Sequence, residues 1–213
     1  MDGIIQKKCV SLQRRKENDM KKIVILIMTI MMTGALSAQD FGFGLRLGGN
    51  FSQIDGDGAS GYNKIGFHVG AFTTYPFGYR SSGVLELTYS SKGARYSEIQ
   101  QVSVLEYVEI SLLYGLKISD KWEILAGLQP SILTNSSVME GDVDMGDVFK
   151  YNTFDLPVAL GLRLYLNPHI AVEARLSYSL TNINAIGNFG TEGLLGNYGK
   201  FNNVLSGSLI YKL

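Results

Sequence analysis

Few residues in this 213-residue chain have the chemistry for catalysis or metal binding. There are two histidines, His68 and His169, and a Ser-His-carboxylate arrangement needs all three groups aimed at a common substrate. His68 falls at a polar position of "IGFHVGAFTTY", where it reads as an interior hydrogen-bonding residue; His169 sits in the tight turn "NPH" and reads as solvated. No catalytic residue, cofactor site or metal site is assigned. The single cysteine, Cys9, precedes an apolar leader, so the rest of the chain has no disulfide, no Cys-based metal site and no thiol nucleophile. "DGDG" and "EGDVDMGD" place Asp55, Asp57, Asp142, Asp144 and Asp147 as oxygen donors for calcium. They lack the closing glutamate of an EF-hand loop and read as solvated loop tips. The glycine-rich "GNFGTEGLLGNYG" has no strand-to-helix context for phosphate binding and reads as a mobile loop.

The remaining candidates are charges set among apolar residues at every second position: Arg46, Glu86, Glu109, Glu123, Asp155, Arg163, Glu173 and Arg175. Side chains in a strand alternate between faces, so each strand carries one apolar and one polar face. Eight stretches alternate in this way: 41–52, 65–75, 83–92, 104–118, 122–134, 153–166, 170–182 and 200–213. No 12-residue window carries a helical stripe. The links also alternate: 53–64, 93–103, 135–152 and 183–199 are long, whereas 76–82, 119–121 and 167–169 are short. All long links therefore lie at one end of the sheet.

Residues 20–38 have the layout of a signal peptide: two lysines, an apolar run from Ile23 to about Leu36, then small residues. Cleavage is expected after Ser37 or Ala38. Residues 1–19 are either a start called too early or an extended n-region. Residues 39–213 are expected to form one domain. Residues 1–38 hold seven Lys/Arg and three Asp/Glu, leaving 12 positive and 16 negative groups of the 19 and 19 in the whole chain, a net of −4. Nothing in that balance points to nucleic acid.

Alternation alone fits a soluble barrel with an apolar interior or a membrane barrel with an apolar outer wall. The polar face is rich in glycine and in charges of both signs, which suits a narrow eight-stranded interior. The strands, at 10–15 residues, are long enough to cross about 25 Å of hydrocarbon at a tilt. Aromatics sort to two levels. Phe41, Tyr75, Tyr114, Trp122 and Tyr211 fall at the short-link end, and Phe51, Phe67, Phe154 and Phe201 near the long-link end. Phe72, Leu105, Leu113, Leu125 and Leu133 point inward in this register, through a bulge or as apolar interior packing.

The stretches "GLRLGGNFS", "YVEISLLYGLKIS", "FDLPVALGLRLYL", "ARLSYSLTNIN" and "SLIYKL" resemble the PorT-like outer-membrane β-barrel family of Bacteroidetes-type bacteria, within the OmpA/OmpX-like eight-stranded group. The resemblance spans residues 40–213. It implies a multi-pass protein of the Gram-negative cell envelope that meets outer-membrane lipid and lipopolysaccharide and is inserted by the barrel-assembly machinery. Such chains usually end on an aromatic residue; this one ends on Leu213, with Tyr211 two before it.

The expectation is an all-β, eight-stranded antiparallel up-and-down transmembrane barrel, monomeric, without enzymatic activity or cofactor. Its role would be structural or interactive, with external loops contacting a partner or supporting envelope assembly or secretion. The interior charges would form a gated ion path or a salt-bridged plug, and stability favours the plug because unpaired charges in a dry interior are costly. The competing reading is a soluble or periplasmic lipocalin-like barrel holding a small apolar ligand.

Overall fold

The computed structural model describes residues 41–58, 61–96, 101–141, 143–146, 148–187 and 189–213. The leader, Cys9, Asp142 and Asp147 lie outside the described residues. Gly42–Leu213 form one unit. It contains β1 (Gly42–Asp55), β2 (Lys64–Pro76), β3 (Ser81–Tyr96), β4 (Gln101–Lys117), β5 (Trp122–Leu128 resuming as Ser131–Glu140), β6 (Phe154–Asp155 and Pro157–Tyr165), β7 (Ile170–Ser179) and β8 (Phe201–Lys212). Each strand pairs antiparallel with its neighbour in sequence, and β1 pairs β8 from Gly44↔Lys212 to Asp55↔Phe201. The sheet closes on itself and leaves no long edge to satisfy.

The two interruptions in β5 and β6 have one cause. Pro130 and Pro157 lack the N–H a ladder needs, and the chain adapts around them: Ile110 N–H donates to the Pro130 carbonyl and Gln129 N–H to the Pro157 carbonyl. Further along β5 the register shifts between Tyr107↔Leu133 and Glu106↔Asn135, so Thr134 is an extra residue. The bulge changes which parity points inward: Leu125 and Ser131 are buried before it, Val138 after it.

β3, β4 and β5 run past the alternating segments, to Tyr96, from Gln101 and to Glu140. Alternation ends where both faces of a strand meet similar surroundings, so "TNSSVME" carries no period yet stays in the ladder. The glycine-rich link 183–199 includes a small hairpin pairing Thr191–Glu192 with Tyr198–Gly199, rather than an unstructured loop.

Outward positions are apolar: Leu47, Leu87, Leu112, Leu160, Leu176 and Leu205 are all exposed. An outer wall of this extent far exceeds the few hundred Å² of apolar patch that a monomer in water presents. Inward positions carry the buried Arg, Glu, Ser and Asn residues.

Candidate functional site

The barrel interior is stratified. At the short-link end Phe72, Val84, Leu113, Leu125, Ala159, Ala171 and Ile210 form a buried apolar layer, with Tyr165 packed against it. At the long-link end Ile54, Ala94, Leu105, Tyr107 and Ile183 form a second, joined by Leu133 and Tyr151. Four of the five inward apolar residues, Phe72, Leu105, Leu113 and Leu125, belong to these buried layers, and Leu133 packs on the upper one. Both explanations for them apply: the layers account for the packing, and Thr134 supplies a bulge.

The charges pack against these layers: Arg46, Glu86, Glu173 and Arg175 lie on the long-link side of the lower layer, whereas Glu123 and Arg163 lie on the short-link side of Leu125 and Ala159 on their own strands. Arg46, Arg163 and Arg175 face Glu86, Glu123 and Glu173, three of each sign, none more than 3 % exposed. Arg175 clamps Glu86 through Nη1–Oε2 at 2.7 Å and Nη2–Oε1 at 2.9 Å, a bidentate pairing. Its Nη2 also lies 2.6 Å from Glu173 Oε1. Arg46 Nη1 donates to Glu86 Oε2, and its Nη2 to Ser208 Oγ at 2.8 Å. Arg163 donates from Nε and Nη2 to Glu173 Oε2 at 2.9 and 2.7 Å, and reaches Glu123 Oε2 at 3.3 Å. Tyr165 Oη donates to that same Glu123 oxygen at 2.6 Å.

A second cluster sits nearer the long links. Lys92 Nζ donates to Glu109 Oε1 at 2.9 Å, lies 3.9 Å from Asp155 Oδ2, and rests over the Tyr107 ring at 4.2 Å. Asp155 accepts from Ser179 Oγ at 2.9 Å and Asn202 Nδ2 at 2.8 Å. Every expected interior charge is thus buried in one of two clusters. Lys92 is the cation the alternation pattern did not single out. It continues the inward set Glu86, Thr88, Ser90 of β3, and that parity was the signal for it.

His68 sits between the clusters. Its Nδ1 is 2.8 Å from Asn50 Oδ1 and its Nε2 is 2.8 Å from Ser208 Oγ. Hydroxyl, imidazole and amide in line are the parts of a nucleophilic triad, but these three are under 10 % exposed in the barrel interior. The Ser208 oxygen also accepts from Arg46, which ties it into the ion network. Adjacent to them is a cavity of about 20 Å³ lined by residues including Arg46, His68, Glu109, Gln129 and Arg175. That is space for one water, not for a continuous path.

The outer wall carries aromatics at two levels. Tyr75, Tyr114, Trp122 and Tyr211 are exposed at the short-link end, and Phe77 stacks on Tyr114 and meets Tyr75 edge-on. Phe41, the residue before β1, is exposed as well. Phe51, Phe67 and Phe154 are exposed toward the long-link end. Phe201 does not join them. It has outward parity on β8 but is 0 % exposed, because Tyr178 stacks on it at 6.0 Å and the 191–199 hairpin lies over it.

Of the acidic loop residues, Asp55 accepts from Gln53 Nε2 and Asn203 Nδ2, and Asp144 accepts from the Gly146 N–H of its own turn. Among the described residues no group of three or more His, Cys, Asp or Glu side chains comes together to hold a metal ion. His169 is exposed, with Nδ1 3.1 Å from the Lys212 carbonyl.

A closed eight-stranded barrel with an apolar outer wall, aromatics at both margins and ion pairs within defines the transmembrane β-barrel class. The outer membrane protein beta-barrel domain model matches residues 37–185, and the chain belongs to that family of outer-membrane barrels. Among solved structures, neisserial surface protein A is similar with a TM-score of 0.53 at 16% identity, covering 80% of this chain and 97% of its own. The attachment invasion locus protein Ail of Yersinia pestis aligns at TM-scores of 0.48–0.49 and 13–14% identity over 82% of this chain and 100% of its own. At these identities the first comparison bears on fold alone, and it agrees with the strand ring. No curated protein matches the chain.

Proposed function

We propose that this protein is a non-conducting, non-enzymatic barrel whose work is done at its outer-facing loops, as a contact site for an envelope or external partner or as an accessory to envelope assembly or secretion. One observation carries the reading: the interior is packed shut, its charges buried in mutual ion pairs and its two ends each carrying a buried apolar layer. An apolar constriction excludes water and stops ions by dewetting, and two in series leave the interior without a transport task. The same seal argues against catalysis at Ser208 and His68, since no acyl chain or lipid headgroup reaches them. What remains is the rim.

The links that form this rim are tied to one another. Asn152 N–H donates to the Ile183 carbonyl at 2.8 Å, Ala185 N–H to the Lys150 carbonyl at 3.0 Å, and Asn152 Nδ2 to the Asn182 carbonyl at 2.8 Å. A platform braced in this way suits recognition better than a set of independent loops does. The narrower assignment to the PorT-like branch draws on the residues 40–213 resemblance. On that assignment the protein is a monomer of lipopolysaccharide-bearing membrane, inserted by the assembly machinery after loss of a signal peptide, with a secretion or envelope component as its candidate partner.

Recovery of partners from detergent-solubilised envelopes, with the intact barrel as bait, tests the reading. A partner whose capture is lost on replacing link 135–152 by a short turn supports it. Steady single-channel conductance in planar bilayers, or covalent labelling of Ser208 by a fluorophosphonate, overturns it.

A further inference from the structure

The fourth long link, residues 183–199, differs from the other three in composition. It holds one charged residue, Glu192, in 17 positions, alongside Ile183, Ile186, Phe189, Leu194, Leu195 and Tyr198. Link 135–152 has five charges in 18 positions. Ile183 is spent on the upper apolar layer inside the barrel. The other five are exposed: Ile186 55%, Phe189 72%, Leu194 66%, Leu195 70% and Tyr198 57%. Four of those values exceed that of Leu47, 56% exposed in the middle of the outer wall, and Ile186 falls one point short of it.

The position of the hairpin explains why a loop would carry such side chains. The chain leaves β7 over the interior, where Ile183 is buried, and then crosses to the outside. There Gly193 lies so close to the Phe201 ring that a Cβ would sit 2.5 Å from Cζ. Phe201 points outward from β8, four residues beyond Leu205 in the exposed apolar wall. The hairpin backbone is pinned from the other side as well: a Cβ on Gly56, at the end of β1, would meet the Gly199 carbonyl oxygen at 2.5 Å and the Thr191 nitrogen at 2.8 Å. It is therefore held against the outer wall, at the level where the apolar band ends, and not over the barrel mouth.

We infer that the 189–198 hairpin is a lipid-contacting foot, with Leu194 and Leu195 at its turn lying among the upper acyl chains and headgroups of the outer leaflet. The occupant of this apolar surface is lipid because the surface continues the barrel's own lipid-facing wall sideways. Phe201, which outward parity assigns to the wall, is covered by the hairpin, and the hairpin presents Leu194 and Leu195 in its stead. The expected depth is that of an interfacial element, roughly 5–10 Å into the headgroup and acyl boundary. A foot on one side of the barrel would also fix its tilt and leave the charged links 53–64, 93–103 and 135–152 facing the exterior.

The test uses the full chain carrying Cys9→Ser, reconstituted in dioleoylphosphatidylcholine vesicles, with a nitroxide on Leu195→Cys. Collision rates with oxygen, which concentrates in lipid, and with a water-soluble nickel chelate are compared. Leu47→Cys and Asp144→Cys calibrate the lipid and water extremes. The expected result is oxygen collisions dominating at Leu195→Cys, and a shift toward the chelate when Gly193→Leu is added, because that side chain forces the hairpin off Phe201. Chelate dominance at Leu195→Cys, matching Asp144→Cys, overturns the inference. So does shielding that appears only when a second protein is added, or spin–spin broadening that vanishes on dilution with excess lipid. The last result would make the occupant another copy of this chain.

Discussion

Glu86→Gln is the substitution that weighs the interior most directly. The carboxylate is fully buried and takes three guanidinium hydrogen bonds, one from Arg46 and two from Arg175, with Arg163 Nη2 at 3.7 Å. The amide keeps the shape but removes one of three negative charges, leaving three guanidiniums facing Glu123 and Glu173 alone. It also turns a donor toward groups that only donate. Removing one partner of a buried ion pair costs about 3–5 kcal/mol. With a urea dependence of roughly 2 kcal/mol/M, the unfolding midpoint falls by roughly 2 M. The assay is urea unfolding from lipid vesicles, followed by Trp122 emission and by heat-modifiable gel migration. Glu86→Met combined with Arg175→Met leaves two charges of each sign and recovers most of the loss, a coupling visible in a double-mutant cycle. A cost under about 1 kcal/mol, the value of solvated surface pairs, with no coupling, would refute the argument and put these charges in water.

Other outcomes follow from the same geometry. Leu47→Arg, at the centre of the outward row Phe43 to Phe51, lowers stability in vesicles by about 2–4 kcal/mol, while the same change at exposed Lys121 leaves the midpoint unmoved. Gly48→Ala sets a Cβ 1.9 Å from the Gly207 carbonyl oxygen and against the His68 ring, and is expected to cost about 1–3 kcal/mol in the same unfolding assay. Leu125→Ser together with Ile183→Ser wets both apolar layers and gives measurable ion leak in planar bilayers, where neither single change does. Burial raises the Tyr151 hydroxyl above the ordinary tyrosine range, helped by nearby Asp57, and a raised group stabilises below its unfolded value and loses that contribution as pH climbs. Amide exchange in 148–152 beyond that expected from pH alone should therefore rise above about pH 10 in wild type and not in Tyr151→Phe.

The ring of strands was legible because lipid imposes a strict rule: backbone groups must pair within the barrel, and every second side chain must be apolar. Arg46, Glu86, Arg163, Glu173 and Arg175 stand out against that rule, and the structure brings all five together. The rule lapses in three places. Above the membrane it stops applying, so the tail of β5 after Thr134 has no period to read. Inside, it is silent about small apolar layers, and Leu105 and Leu113 look like register errors until Ile183 and Phe72 are seen beside them. Phe201 has the correct parity for an exposed ring but is buried by a hairpin some ten residues earlier in the chain, and parity carries no information about covering loops. Lys92 was readable from the parity of β3; Asn50, Gln129 and Ser208 bind their partners through polar groups too common in sequence to mark.

The orientation of the two faces is tested most directly by quenching of tryptophan with lipids brominated along the acyl chain. The chain has one tryptophan, Trp122, exposed at the short-link margin of the wall. Shallow bromines are expected to quench Trp122, and deep bromines the single tryptophan of Trp122→Phe with Leu47→Trp. A protein that stays dispersed without detergent, with both tryptophans indifferent to brominated lipid, would contradict that orientation.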